Sequence, residues 1–299
     1  MLDRDRWWNS KRALINQRVY GIYNPDNLQI LLDEQYRTQV ALESLHINVS
    51  SKPSEIPMIN VLAMPQGIID LRYPTTLSLI GMPRSGKSSS LKYFGDEEWA
   101  KTFGERAGEV KDVLDRTGQF SFETQTLWQR YLQYEDYLSI IDKNEVNQDY
   151  WVTFDRDWTD VAMTRANILF GRLDPAIGIS KSSLQSAKED LDKYKKGHTL
   201  VILLLTRPEE SLKREGPRKS PGRIMNLPFL QVLYEQYLRF HYEMLFYTKT
   251  YGKNRPFFYA CLDGSGDPYA TYRMIEKTMF WYAMATTGGK RPPQFIEIY

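Results

Sequence analysis

The feature that most constrains the fold of this chain is the segment LSLIGMPRSGKSSSLKYF, in which residues 81–88 match the pattern G-x-x-x-x-G-K-[S/T]. Residues 77–80 form a short apolar segment, which predicts a buried strand, and residues 89–94 can begin a helix. A strand that breaks into a glycine loop and then a helix points several backbone N–H groups at one place. The helix N-terminus adds a positive partial charge there. The segment therefore predicts a phosphate-binding loop in an α/β fold.

The side chains of this loop suit a bound nucleotide. Lys87 would reach the β- and γ-phosphates of ATP, and the Ser88 hydroxyl would ligate Mg²⁺. Arg84 would act on the transferring oxygens from within the loop, or would simply be exposed to solvent. The residues predicted to hold ATP here are Gly81, Ser85, Gly86, Lys87, Ser88 and Ser89.

Composition excludes several other classes. The 299 residues carry a net charge of +2, so no global field indicates binding to nucleic acid or to a membrane surface. No stretch reaches the apolar length of a membrane span, and the N-terminus lacks the apolar core of a signal peptide. The single cysteine, Cys261, lies in an apolar run, which predicts a core residue and suits a reducing, cytoplasmic location.

Strands and helices alternate after residue 74, which predicts a parallel sheet flanked by helices, the P-loop NTPase type of α/β fold. We assign residues 74–299 to this domain and residues 1–73 to a mainly helical N-terminal extension and linker, a candidate surface for a protein partner. The predicted strands are 77–80, 151–154, 199–205 and 257–261. The predicted helices are 123–141, 160–173, 182–195, 229–247 and 268–285.

Ligands of open α/β sheets bind beyond the carboxyl ends of the strands, and Asp155 and Arg156 follow directly on the predicted strand 151–154. The Asp155 carboxylate would act on Mg²⁺ or take a hydroxyl proton, and Arg156 would grip an acceptor phosphate. The simpler alternative is an ion pair at a strand terminus.

A basic segment follows the strand 199–205. Residues 212–223 contain glycine, proline and five cations, a composition that favours a mobile lid over the site, although a solvated charge run is the plain alternative. The cations are Lys213, Arg214, Arg218, Lys219 and Arg223.

A third candidate region begins the predicted helix 123–141. Phe122 would stack on a base, and Glu123 or Gln125 would read the edge of that base. Helix capping combined with core packing is the simpler explanation of the same residues.

Together these motifs resemble the thymidylate kinase and deoxynucleoside kinase family over about residues 77–285. The resemblance is carried by GMPRSGKS, FDRDW, TLVILLLTRPEESLKRE with LPFLQVLYEQYLRF, and FYACLDGSGDPYATYRMIEKTM. It implies phosphoryl transfer from ATP, with Mg²⁺, to a nucleoside monophosphate or a nucleoside. It also leaves a homodimer open, because such kinases often pair through helices.

The resemblance implies roles for individual residues. Arg156 would contact the acceptor's phosphate or 5′-hydroxyl, and Asp155 would serve Mg²⁺ or act as the base. Phe122 with Glu123 or Gln125 resembles the base-reading pair of deoxynucleoside kinases. The transition state would be stabilised by Arg84 and by some of Arg214, Arg218 and Arg223, the last also serving ATP.

Three positions depart from the family pattern. Pro83 stands where thymidylate kinases usually carry an aspartate that holds the acceptor sugar. Glu123 stands where deoxynucleoside kinases usually carry glutamine. The acidic turn that usually follows the second strand has only Glu109 as a candidate. These departures leave the acceptor open.

Two other functions remain open on the sequence. A non-catalytic ATP-binding scaffold or switch on a kinase fold would explain Pro83 and the unmatched N-terminal extension. A sulfotransferase would explain GMPRSG, but those enzymes usually have threonine where this chain has Lys87.

Overall fold

The computed structural model describes most of the chain from residue 52 onward. The described residues are 36–37, 52–56, 58–63, 75–94, 100–141, 151–157, 160–172, 178–183, 185, 199–216, 224–251, 257–287 and 295–298.

The described residues contain seven strands that form one sheet. The strands are β1 Val61–Ala63, β2 Thr75–Gly81, β3 Ala100–Phe103, β4 Trp151–Asp155, β5 Thr199–Leu205, β6 Phe257–Asp263 and β7 Phe295–Glu297. Their order in the sheet is β3-β4-β2-β5-β6-β1-β7. Strands β3, β4, β2, β5 and β6 run parallel, whereas β1 pairs antiparallel with both β6 and β7.

Helices cover both faces of the sheet. Besides a short 3₁₀ turn at Pro53–Glu55, they are α1 Lys87–Phe94, α2 Ala107–Thr117, α3 Phe122–Ile141, α4 Val161–Phe170, α5 Pro208–Glu215, α6 Leu227–Tyr251 and α7 Pro268–Thr287. Of the helices in the described ranges, none is long and apolar enough to cross a membrane.

Two apolar layers hold the helices on the sheet. One lies under α4 and α6 and contains Phe170 and Phe229, whose rings meet edge to face. The other lies under α1 and α7 and contains Phe258 and Tyr282. Central strands such as β5 are buried at every position because both of their faces are covered, as parallel sheets require.

The predicted α/β fold with a parallel sheet is confirmed, and all four predicted strands are present as β2, β4, β5 and β6. The predicted helices 123–141, 160–173, 229–247 and 268–285 correspond to α3, α4, α6 and α7. Cys261 is fully buried, as expected.

The structure adds elements that the pattern did not predict, namely β3, β7, α2 and α5. Strand β1 lies within the predicted N-terminal extension, yet Val61–Ala63 pairs with β6, so the sheet reaches back beyond residue 74. Most of the extension and most of the predicted helix 182–195 lie outside the described residues.

Candidate functional site

The phosphate loop joins the central strand β2 to α1, and its first glycine is required by close packing. Gly81 has φ of +134°, and a Cβ there would lie 2.1 Å from the Leu204 carbonyl oxygen of β5. Only glycine fits this conformation and this distance. Gly86, at φ +97°, makes the second turn of the loop.

Lys87 is buried and its ammonium group is held by the loop. It donates hydrogen bonds to the carbonyl oxygens of Gly81 (3.3 Å) and Met82 (2.7 Å) and to Ser85 Oγ (3.3 Å). Burial, followed by repulsion from the Arg156 guanidinium, lowers the pKa of Lys87 to about 8. An anion bound in the loop would favour the charged form, so the lysine is suited to a phosphate ligand.

Ser88 and Asp155 meet beneath the loop. The exposed Ser88 donates its hydroxyl hydrogen to Oδ2 of Asp155, which is 2% exposed at the end of β4. The other carboxylate oxygen, Oδ1, is buried and has no hydrogen-bond partner among the described residues. A buried oxygen of this kind is costly to leave unpaired. The hydroxyl oxygen of Ser88 and the carboxylate oxygens of Asp155 are suitable ligands for Mg²⁺. This ion takes few protein ligands when phosphates and water complete its coordination shell.

Arg156 is buried beside the loop with its guanidinium fully engaged. Its Nη2 donates to the Gly81 carbonyl oxygen (2.9 Å), and its Nη1 donates to Tyr237 Oη (3.0 Å) and to Asp160 Oδ2 (3.3 Å). Its Nε lies 3.6 Å from Oε1 of Glu105. Burial opposes the charge of this group, but Tyr237, Glu105 and the nearby aspartates together raise the pKa of Arg156 above its ordinary value.

The backbone at Arg156 is also specialised. Its φ of +56° is uncommon for a residue with a side chain, and the conformation turns the chain sharply after β4. The Arg156 N–H donates to the Leu79 carbonyl oxygen (2.9 Å), and the buried Gln133 of α3 donates to the Arg156 carbonyl oxygen. These contacts hold the strained turn against β2 and α3.

Arg84 and Arg214 join the phosphate loop to α5. The Arg84 side chain is 53% exposed and pairs with Glu215, which is 4% exposed. Arg214 donates to the carbonyl oxygens of Arg84 (3.1 Å), Gly264 (2.7 Å) and Gly266 (2.8 Å). Arg214 therefore links α5 to two segments, the phosphate loop and the turn after β6, through their backbone carbonyl oxygens.

One cavity of about 860 Å³ unites these groups. Its described lining comes from the phosphate loop, from Glu105 after β3, from Arg156, from α4 and α5, and from the segments that begin α6 and α7. The lining residues are Pro83, Arg84, Ser85, Gly86, Lys87, Ser88, Ser89, Glu105, Arg156, Met163, Glu210, Arg214, Glu215, Ile224, Met225, Ser265, Gly266, Asp267 and Pro268.

The structure does not bring the predicted base-reading residues into this lining. The Glu123 carboxylate accepts hydrogen bonds from the Ser180 N–H (3.1 Å) and the Ser183 hydroxyl (2.8 Å). The side chains of Ser180 and Ser183, and to a smaller extent the Ser180 N–H, lower the pKa of Glu123. Gln125 donates to the Ala107 carbonyl oxygen (2.6 Å), which ties α3 to α2. Phe122 packs against the core under α4 and α6. Arg218 and Arg223 lie outside the described residues.

The sequence motifs did not predict three residues of the site, namely Glu105, Asp160 and Tyr237. Glu105 lies two residues beyond β3 and lines the cavity, whereas Glu109 is exposed and pairs with Arg106 at 2.9 Å. Recognition of β3 as a strand would have pointed to Glu105. Tyr237 lies in the middle of α6, and no local signal marks it.

A parallel sheet with a phosphate loop after its central strand is the P-loop α/β architecture. Solved structures of deoxyadenosine kinase from M. mycoides are similar to the chain. The structure with products dCMP and a flexible dCDP has 13% identity, a TM-score of 0.48, and coverage of 69% of this chain and 99% of that chain. The structures with bound dATP and with bound dCTP each have 14% identity, a TM-score of 0.44 and the same coverage.

These neighbours are deoxynucleoside kinases, within the P-loop kinase family that the sequence motifs resemble. No family model matches the chain. No curated protein matches it either.

Proposed function

We propose that the chain is a kinase that transfers the γ-phosphoryl group of ATP, with Mg²⁺, to the hydroxyl of a nucleoside, a nucleoside monophosphate being the second choice of acceptor. One observation carries the proposal. The phosphate loop with Lys87 and the pair formed by Arg156 and Glu105 line the same cavity. Phosphoryl transfer needs a donor and an acceptor positioned together in this way.

The loop side of the cavity suits ATP. Backbone N–H groups at the start of α1 and the Lys87 ammonium group would bind the phosphates. Ser88 and Asp155 would hold Mg²⁺, which neutralises charge on the phosphate oxygens when it is bound. The segment Ser265–Pro268 at the start of α7 lies beside the loop and is the natural place for the rest of the nucleotide.

The Arg156 side of the cavity suits a hydroxyl acceptor. The carboxylate of Glu105 is exposed in the cavity and is close to Arg156, so it can take the proton of a hydroxyl as the oxygen attacks the γ-phosphorus. The new O–P bond forms as the bond to the β-phosphate oxygen breaks, and ADP leaves with that oxygen. An acceptor that already carried a phosphate would have to approach the Glu105 carboxylate, which disfavours a monophosphate.

The cations around the loop would act on the transferring oxygens. Arg84 is exposed in the cavity and would reach them once it leaves Glu215. Arg214 is engaged with backbone carbonyl oxygens, so we assign it to positioning of the loop. Arg218 and Arg223 would add positive charge from the segment after α5, as a lid does.

The test is ATP turnover with Mg²⁺ against a panel of nucleosides and nucleoside monophosphates, with the products identified by mass. The proposal expects a gain of one phosphate on a nucleoside and no gain with Lys87→Ala. A phosphate gain confined to monophosphates would transfer the assignment to the second acceptor class. ATP binding without transfer to any acceptor would overturn the kinase and support the non-catalytic scaffold.

A further inference from the structure

Resting on the kinase activity proposed above, we infer that the base of the acceptor is received by an apolar surface formed by Met163, Ile224 and Met225, and is bound there by apolar contact and not by hydrogen bonds to its edge. The residues at the start of α3 would then take no part in reading the base. We refer to these three side chains as the apolar surface.

The apolar surface is the part of the cavity that fits a flat, uncharged ring. The remaining described lining residues are charged or hydroxyl side chains, glycine or proline. Met163, Ile224 and Met225 also pack against the buried core under α4 and α6, so their inner sides are supported by the fold. An apolar wall with support behind it is the usual environment for the ring of a bound small molecule.

The apolar surface adjoins Arg156, which lies on the acceptor side of the cavity. Asp160 caps α4, and its Oδ1 accepts a hydrogen bond from the Met163 N–H (3.0 Å). Its Oδ2 binds Arg156 (3.3 Å) and accepts from Tyr237 (2.6 Å). A single carboxylate therefore positions both Arg156 and the helix turn that carries Met163.

The polar groups of α3 are engaged elsewhere. Oε1 of Glu123 accepts from Ser180 and Ser183, and the amide of Gln125 donates to Ala107, so both side chains bind protein groups. Neither lines the cavity in the described part of the chain. Reading a base through Oε1 of Glu123 or through the amide nitrogen of Gln125 would first require breaking these contacts.

A surface with two methionines discriminates weakly. Methionine is unbranched and polarisable, and it adapts to ligands of different shape. An apolar pocket distinguishes ligands that differ by one methylene by only about 10- to 200-fold, whereas buried hydrogen-bonding groups distinguish by about 10⁴-fold or more. We therefore expect both a purine and a pyrimidine nucleoside to be accepted, with kcat/KM values within about 100-fold of each other.

The experiment compares Met163→Ala, Met163→Leu and Glu123→Gln with the unaltered protein. Two quantities are measured for one purine and one pyrimidine nucleoside: the Kd by equilibrium dialysis without ATP, and kcat/KM with ATP and Mg²⁺. Met163→Ala should weaken nucleoside binding and change the purine-to-pyrimidine ratio by roughly fivefold or more. Met163→Leu should restore most of the binding, and Glu123→Gln should leave the ratio unchanged.

The inference is overturned if Met163→Ala leaves both Kd values unchanged, or if Glu123→Gln changes the ratio more than Met163→Ala does. Because the dialysis contains no ATP, its result is independent of transfer. Nucleoside binding that is lost in Met163→Ala, together with no phosphoryl transfer in the unaltered protein, would uphold the inference and reject the kinase.

Discussion

The phosphate loop and the Arg156 region line one cavity but are built in opposite ways. The loop consists of residues 81–88, which are consecutive, and its Lys87 ammonium group bonds to oxygens of the same loop. The Arg156 region joins the end of β4 to Glu105 after β3, Asp160 before α4 and Tyr237 in α6. The phosphate loop therefore depends on a local motif, whereas the Arg156 region depends on packing between distant elements.

Loss of the Lys87 charge should have the largest effect and test the loop half. Lys87→Ala should lower kcat/KM by at least about 10³-fold, because the charge acts directly on the phosphates. ATP affinity should fall as well, and steady-state kinetics with a direct binding assay measures both. Lys92→Ala, an exposed lysine on the same helix, is the matched control and should behave as the unaltered protein. Comparable losses in both variants would contradict a specific role for Lys87.

Removal of the Glu105 charge should separate the two halves. Glu105→Gln should lower kcat by roughly 10²-fold or more while ATP binding persists, because a base acts on the acceptor and not on the donor. Glu109→Gln is the control, since Glu109 is exposed and paired with Arg106. A fall in kcat with Glu109→Gln but not with Glu105→Gln would give the base role to Glu109 and would contradict the proposed acceptor side of the site.

The packing behind the loop can be tested at two glycines. A Cβ at Gly264 would lie 2.6 Å from Thr206 Oγ1 and 3.1 Å from the Ser85 carbonyl oxygen, whereas one at Gly266 would approach nothing nearer than Ala270 Cβ, at 3.7 Å. Gly264→Ala should therefore cost about 1–3 kcal/mol of stability and weaken ATP binding. Gly266→Ala should cost less in thermal unfolding, and equal costs would show that the loop tolerates displacement.

The smallest expected effect is a pH dependence of ATP affinity. The pKa of about 8 means that Lys87 loses its proton above pH 8 in the free protein, well below the ordinary value of 10.5. ATP favours the protonated form, so the Kd should rise roughly tenfold from pH 7.5 to pH 9. Calorimetry in buffers of different ionisation enthalpy should detect uptake of close to one proton at pH 9.

The lowered pKa of Lys87 also affects the stability of the fold. A lysine in a stabilising ion pair contributes less to stability as the pH rises, whereas Lys87 contributes more. Between pH 8 and pH 10.5 the unfolded chain binds a proton that the folded chain does not, so the Lys87 contribution to stability rises with pH in this window. A Kd for ATP that stays constant from pH 7.5 to pH 9, with no proton uptake on binding, would contradict the lowered pKa of Lys87.

The sequence predicted those parts of the fold that leave a local signature. Strands β2, β4, β5 and β6 are apolar runs, and they were recognised because both of their faces are buried. Strand β3 has the sequence AKTF and only its first residue is buried, so its composition does not mark it. Strands β1 and β7 are three residues long and are defined by pairing at the sheet edge.

The candidate site divides in the same way. Lys87, Ser88, Asp155 and Arg156 were predicted because each lies at a strand end or in a motif, and the structure places them together. Tyr237 could not be predicted, because its contact with Arg156 crosses 81 positions of the chain. Glu123 and Gln125 were proposed from their position at the start of a predicted helix, with support from the resemblance, and their tertiary contacts are with Ser180, Ser183 and Ala107.

The phosphate loop, the parallel sheet and the position of Asp155 and Arg156 at a strand end follow from local sequence, because hydrogen bonding and burial along a short segment are encoded by neighbouring residues. The carboxylate that faces Arg156 and the side chains that line the acceptor part of the cavity follow from tertiary packing. Those contacts join residues far apart in the chain. They depend on how α4, α6 and the segment after β3 pack on the sheet, which no local pattern specifies.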